Sequence, residues 1–245
     1  MKSSWDFLKS FTHARIALGR VGNALPTKAL LDFRLAHSEA RDSVWTELDE
    51  TKVQGWSLQV QSRISNKKEF LLNPEKGRVL SKEAREKLGA LSNKSGPCDC
   101  LLVLADGLSA EGLHKNGNAF VKEFVQEFQK PGLKLGPIIL ARYARVALGD
   151  EMGLLLKARS VLMLIGERPG LSSAESLSVY FTYEPCSGKT DVNRNCISNI
   201  HRQGLSPEGA AKMSVYLLQQ ALVQRLSGVS LKVEYPSEYQ RILPP

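Results

Sequence analysis

The chain reads as an α/β protein built on a doubly wound, mostly parallel sheet. Three observations lead there. Val161, Leu162, Met163, Leu164 and Ile165 form an unbroken apolar run of strand length, as a strand covered on both faces requires. A second such run, Cys100 to Ala105 (CLLVLA), stops at Asp106-Gly107 and is followed by a helix signal at Ser109. Strand-like and helix-like segments then alternate, a rhythm that right-handed crossovers wind into a parallel sheet.

Taken in order, the first ten or so residues place Trp5, Phe7, Leu8 and Phe11 among Lys and Ser, which suits a short docking helix or a tail. Thr12 to Pro26 is turn-prone, with Gly19, Gly22 and Asn23 close together and Arg15 and Arg20 beside them. Thr27 is placed to cap a helix whose apolar stripe is Leu30, Leu31, Leu35 and Val44. A strand is expected within Trp56 to Ile64, then turns at Asn73-Pro74 and Lys76-Gly77. Ser81 opens a charged helix with Leu88 and Leu91 on its apolar side. Asn93 to Pro97 (NKSGP) reads as a linker, separating a smaller, mainly helical lobe over residues 1–95 from a Rossmann-like domain over residues 96–245.

In that second part Phe120, Phe124 and Phe128 recur every fourth residue, one face of a helix that Pro131-Gly132 stops. Further strands are expected at Pro137 to Ala141, Leu177 to Tyr183 and Asn195 to Ile200, and a short helix at Asp150 to Arg159. Ser206-Pro207-Glu208 opens the longest helix, with a capping hydroxyl, a proline in the first turn and an acid at the positive dipole end. It is expected to reach Leu226 and close at Gly228.

Composition narrows the function. Lys and Arg outnumber Asp and Glu by 33 to 25, a net charge of +8 over 245 residues. That surplus suits an anionic ligand or an acidic partner surface. The basic residues are scattered, and aromatics do not alternate with them, which argues against nucleic acid. Four cysteines at uneven spacing make no disulfide framework, no apolar run reaches bilayer length, and the N-terminus has no signal-peptide pattern. A reducing, cytoplasmic setting follows, with no membrane partner.

The first candidate for a site is the turn Gly166 to Gly170 (GERPG), because ligands of open parallel sheets sit at the carboxyl ends of strands. The alternative is an ordinary corner with a solvated Glu–Arg pair. No dinucleotide glycine triplet is present, and Gly188-Lys189-Thr190 lacks both the leading glycine and the helix onset of a phosphate-binding loop. Cys98 and Cys100 lack the second ligand pair of a zinc site, and no nucleophile elbow appears. Asp106 could act as an acid or base, though an aspartate turning a loop is commoner. Proteins that bind cobalamin with its own base displaced use an Asp-x-His-x-x-Gly loop. Here His114 and Gly117 keep that spacing, but Gly112 stands in the place of the aspartate that would orient the imidazole.

Five blocks together resemble one family. They are ARIALGRVGNALPT (Ala14 to Thr27), HSEARDSV (His37 to Val44), ADGLSA (Ala105 to Ala110), GERPGLSS (Gly166 to Ser173) and NCISNIH (Asn195 to His201). In this order they resemble the light chain of ethanolamine ammonia-lyase, over about Arg15 to Gly228; the Leu231 to Pro245 tail does not align. The resemblance implies an adenosylcobalamin-dependent lyase that turns ethanolamine into acetaldehyde and ammonia by a radical route. A heavy chain binds ethanolamine, and this chain closes over the cofactor at the interface. It implies Val146, Glu167 and Cys196 as cofactor contacts, with Arg145, Arg168 and Ser198 as weaker candidates near the nucleotide phosphate. The cobalt keeps its own dimethylbenzimidazole, and no catalytic or metal-ligating side chain comes from this chain. The three contacts are expected at or beyond strand ends. The family also implies a bacterial microcompartment within the cytoplasm, although only about a dozen residues precede the match. A non-catalytic nucleotide-fold module for another protein partner is the alternative.

Overall fold

A computed structural model describes residues 4–12, 14–236 and 239. The elements run α1 (Ser4–Lys9), α2 (Thr27–Trp45), β1 (Leu58–Gln61), α3 (Lys67–Leu72), α4 (Lys82–Ser95), β2 (Leu101–Ala105) and α5 (Ala110–Gln129). They continue with β3 (Ile139–Arg142), α6 (Leu148–Leu155), β4 (Ser160–Gly166), β5 (Leu177–Tyr183), β6 (Arg194–Ile200) and α7 (Pro207–Gln224). One six-stranded sheet has the order β1-β3-β2-β4-β5-β6. The β1–β3, β3–β2 and β2–β4 ladders are parallel, whereas β5 and β6 continue the sheet antiparallel.

β2 and β4 are buried along their whole length, as their apolar runs demand. On one face of the sheet α5 and α7 build a core in which Phe120 stacks on Phe124 at 5.7 Å between ring centroids and Phe128 lies tilted against Phe124 at 5.5 Å. On the other, α4 and α6 cover β1 to β4 through Leu88, Leu148 and Met152. The helix starts follow their caps: Ser81, Ser109 and Ser206 accept from the amides of Ala84, Glu111 and Gly209.

Several expectations are corrected. The strand expected within Trp56 to Ile64 shrinks to Leu58–Gln61, because Ile64 turns under the sheet to pack with Phe70 and Tyr143. Thr27 does not cap α2; Pro26 stands at that position with no side-chain bond. α4 runs through most of the expected linker to Ser95 and stops where Gly96 takes a φ of 63°. The helix before β4 is Leu148–Leu155, ending ahead of the left-handed Lys157. α7 ends at Gln224, where Arg225 turns left-handed, four residues before Gly228. The α2 stripe meets no core: Leu31 and Leu35 are 57% and 61% exposed, and only Ala40 and Ser43 of α2 are buried. Of the C-terminal tail, residues 237–238 and 240–245 lie outside the described residues.

Candidate functional site

The site grows from the end of β4. Gly166 packs so tightly on the β2–α5 turn that a Cβ there would sit 1.9 Å from the Ser109 carbonyl, so only glycine fits. Its own carbonyl accepts from Leu108, and the next amide, Glu167, bonds Ser176 across the mouth of the β4–β5 loop. This fixes the backbone from which the half-buried Glu167 side chain projects. Tyr180 Oη, on the neighbouring strand, donates to Glu167 Oε1 at 3.0 Å.

Alternation along β5 and β6 divides their side chains. Leu177, Val179, Phe181, Ile197 and Ile200 enter the core under α5 and α7. Ser178, Tyr180 and Thr182 point the other way, and Tyr180 pairs across the ladder with Cys196, Thr182 with Arg194. Arg194 closes one end of this second face. Its guanidinium grips Asp150 of α6 with two bonds of 2.7 and 2.6 Å and also donates to Thr182 Oγ1 at 2.6 Å. Towards the other end Cys196 and Ser198 are exposed. A depression of about 600 Å³ lies over this open face, lined by Glu167, Arg168, Tyr180, Cys196 and Ser198.

Loss of hydration pushes the Cys196 thiol above its ordinary pKa, and the Glu167 charge acts in the same direction. The sulfur is therefore a protonated, polarisable surface at neutral pH, not a nucleophile. Burial also raises Tyr180, with Cys196 and Glu167 adding to it, so the phenol stays a donor.

The β3–α6 loop supplies the other wall. Asp106, buried at the end of β2, accepts from the amides of Tyr143 (2.7 Å) and Ala144 (3.1 Å). That grip holds Tyr143 at a φ of 50°, a strained conformation for an aromatic residue. The chain then delivers Arg145 and Val146 into a cleft of about 310 Å³ whose lining also includes Tyr180 and Arg194. Burial raises the Asp106 carboxyl to about 6 and lowers the pKa of the buried Lys67, whose charge faces it. Lys67 Nζ reaches the Gly107 carbonyl at 3.4 Å. The end of the β2–β3 crevice, where open sheets commonly bind ligands, is thus filled by Lys67, Asp106, Phe70 and Tyr143 of the chain itself.

The structure therefore groups Glu167, Cys196, Arg168 and Ser198 around one depression, and Val146 with Arg145 around an adjoining cleft. Tyr180 borders both and is not among the residues expected there from the sequence. The signal was present in β5, where Ser178, Tyr180 and Thr182 put polar groups on one face of a strand that is otherwise core. Cys196 is not at a strand end; it sits inside β6, and the antiparallel ribbon rather than the carboxyl rim carries it. His114 lies on α5, and its Nε2 accepts from the Asp49 amide, ahead of β1, at 3.0 Å.

The family described as Ethanolamine ammonia-lyase light chain (EutC) matches residues 2–232. A protein named ethanolamine ammonia-lyase small subunit from Rhodopseudomonas palustris (strain BisA53) is 46% identical over 232 residues, 92% of this chain and 88% of that protein. Proteins of the same name from Xanthomonas campestris pv. campestris (strain ATCC 33913) and Pseudomonas putida (strain W619) are 44% and 45% identical, each across 95% of this chain and 89% of their own. Each of these relatives is named as the small subunit of an ammonia-lyase. The chain belongs to the ethanolamine ammonia-lyase light-chain family.

Proposed function

We propose that this chain holds adenosylcobalamin at its interface with the large subunit of an ethanolamine ammonia-lyase, which converts ethanolamine to acetaldehyde and ammonia. The observation that carries the reading is the convergence of Val146, Glu167 and Cys196 on the two sides of Tyr180. Ser178, Tyr180, Cys196 and Ser198 make a shallow, weakly polar sheet face, a shape suited to a broad planar ring edged with amides. Tyr180 occupies one Glu167 oxygen and leaves Oε2 to accept from an amide or ribose hydroxyl. Ser173 Oγ, in the wall of the same depression, has no partner among the described residues, as expected of a group that bonds a ligand.

When bound, the cofactor supplies radical chemistry through its cobalt–carbon bond. The chain's own residues position and shield. Val146 packs against an apolar edge, Cys196 allows close approach, and Glu167 fixes rotation by its hydrogen bond. Bound here, the cofactor would keep its own base, since His114 Nε2 is taken up by the Asp49 amide. Ethanolamine binds mainly to the large subunit. The docking surface lies within residues 1–95, supported by the exposed Leu18, Val21, Leu25, Leu30, Leu31 and Leu35 around the start of α2, while β1 and α4 of that span belong to the sheet and its core. The setting is the cytoplasm, in a microcompartment.

The test mixes the chain with the large subunit and hydroxocobalamin, separates the complex by gel filtration and records its visible spectrum. Corrinoid colour retained by the complex and by neither subunit alone is expected. A colourless complex would favour a non-catalytic binding module.

A further inference from the structure

We propose that Ser43 and Glu47 are positioning residues through which α2 holds both loops that carry the cofactor contacts, so that docking of the large subunit on the other half of the same helix sets the affinity for the corrinoid. The inference rests on the reading above and adds to it a route by which one binding event reaches the other.

α2 is one unbroken helix, Thr27–Trp45, with neither glycine nor proline inside it. Its first half carries the bare Leu30, Leu31 and Leu35, and its only buried residues are Ala40 and Ser43. Leu35 and Ser43 are eight residues apart, about 12 Å of helix rise, so a shift of the stripe carries Ser43 with it.

Ser43 holds the first loop. Its hydroxyl donates to the Ala174 carbonyl at 2.9 Å, and because it has a single proton, the 2.6 Å contact with Ser109 Oγ is one that Ser109 donates. Ser109 lies in the turn on which Gly166 packs, and Ala174 comes two residues before Ser176, whose carbonyl accepts from the Glu167 amide. Arg15, ahead of α2, adds a bond from Nη2 to the Leu171 carbonyl at 3.1 Å. The β4–β5 loop is a thin wall here. Ser172 and Ser173 line the depression beside Glu167 on one side and a cleft of about 530 Å³ against α2 on the other.

Glu47, just past the end of α2, holds the second loop. Its Oε2 accepts from Tyr143 Oη at 2.9 Å, and Arg142 adds ion pairs to Glu47 and Glu50 at 3.8 and 3.7 Å. Burial, then this bond, push the Tyr143 phenol up to about 12, so it stays a donor. Tyr143 is the left-handed residue that opens the β3–α6 loop, three positions ahead of Val146. The loops bearing Glu167 and Val146 follow different strands, yet both are tied to the last turn of one helix and the residues after it. Fixing α2 from outside therefore removes freedom from both loops at once, and a cofactor binding to them has less chain to order. By linkage, the cofactor tightens docking by the same factor.

The experiment uses the assembled two-subunit complex, with the large subunit in excess so that every variant stays assembled, and measures hydroxocobalamin binding by equilibrium dialysis. Ser43→Ala and Glu47→Ala should each weaken cobalamin binding about fivefold, the worth of one hydrogen bond. Glu47→Gln, whose amide oxygen still accepts from Tyr143, should stay within about twofold of wild type, which separates the bond from folding. At saturating adenosylcobalamin, kcat of Ser43→Ala should also stay within about twofold. Leu31→Ser/Leu35→Ser should weaken cobalamin binding too, and adding Ser43→Ala to it should cost less than the product of the separate losses. Unchanged cobalamin affinity in Ser43→Ala and Glu47→Ala, losses that multiply in full, or equal losses in Glu47→Ala and Glu47→Gln overturn the inference and leave the reading above standing. A wild-type complex that binds no cobalamin overturns that reading instead.

Discussion

Tyr180 Oη donates a hydrogen bond to Glu167 Oε1 at 3.0 Å, tying the end of β4 to the polar face of β5. Thirteen residues separate the two in sequence, and the ten-residue excursion between β4 and β5 brings them together. Because Tyr180 also pairs with Cys196 across the next ladder, one phenol sets the spacing between an acceptor and a thiol.

Glu167→Ala should therefore weaken cobalamin binding about tenfold, the worth of one hydrogen bond to a charged group. The KM for ethanolamine should change less. Tyr180→Phe should give a smaller loss, since it frees Glu167 without removing it. Spectroscopic cobalamin titration beside ethanolamine kinetics checks both, and a loss confined to ethanolamine would count against this placement.

The Arg194–Asp150 pair joins β6 to α6, with side chains 3% and 8% exposed. Removing one partner strands a buried charge, so Arg194→Met should cost about 3 to 5 kcal/mol. The double variant Arg194→Met/Asp150→Asn should recover part of it. Urea denaturation of the four proteins of this cycle measures the coupling; additive losses would show that the two groups act independently.

Asp106 gives the fold a pH dependence of predictable sign. Burial raises its carboxyl from the ordinary 3.8 to about 6, so the folded chain holds that proton more firmly than the unfolded one. Its contribution is complete below about pH 4 and is lost as pH rises through about 6. Between those limits the stability of the wild type relative to Asp106→Asn should fall by about 2 to 3 kcal/mol. Thermal melts across pH 4 to 7 report it; parallel curves would refute the assignment.

On α2, Leu31→Ser and Leu35→Ser remove exposed side chains that touch no core of this chain. Stability of the isolated chain should change by less than about 0.5 kcal/mol. Affinity for the large subunit should drop, and solubility of the lone chain should rise. Denaturation and subunit titration separate the two effects; unchanged assembly would exclude this stripe from the docking surface.

Patterns that depend on near neighbours were legible in the amino-acid sequence. Phe120, Phe124 and Phe128 announced the buried face of α5, and Leu177 to Tyr183 alternated over the observed span of β5. What covers a face was not legible. Leu31 and Leu35 have the same periodicity as core leucines, yet the chain leaves them bare. Strand direction after β4 was hidden too, because a ten-residue connection permits either sense, and with it went the mid-strand position of Cys196. Tyr180 gains its place only from cross-strand register, which no local window contains.

The most direct test is a structure of this chain with the large subunit and cobalamin. The account predicts the corrin ring over Tyr180 and Cys196, with Glu167 and Val146 in contact and the lower axial position of cobalt held by dimethylbenzimidazole. A corrinoid lodged wholly within the large subunit, or a histidine of this chain bound to cobalt, would contradict it.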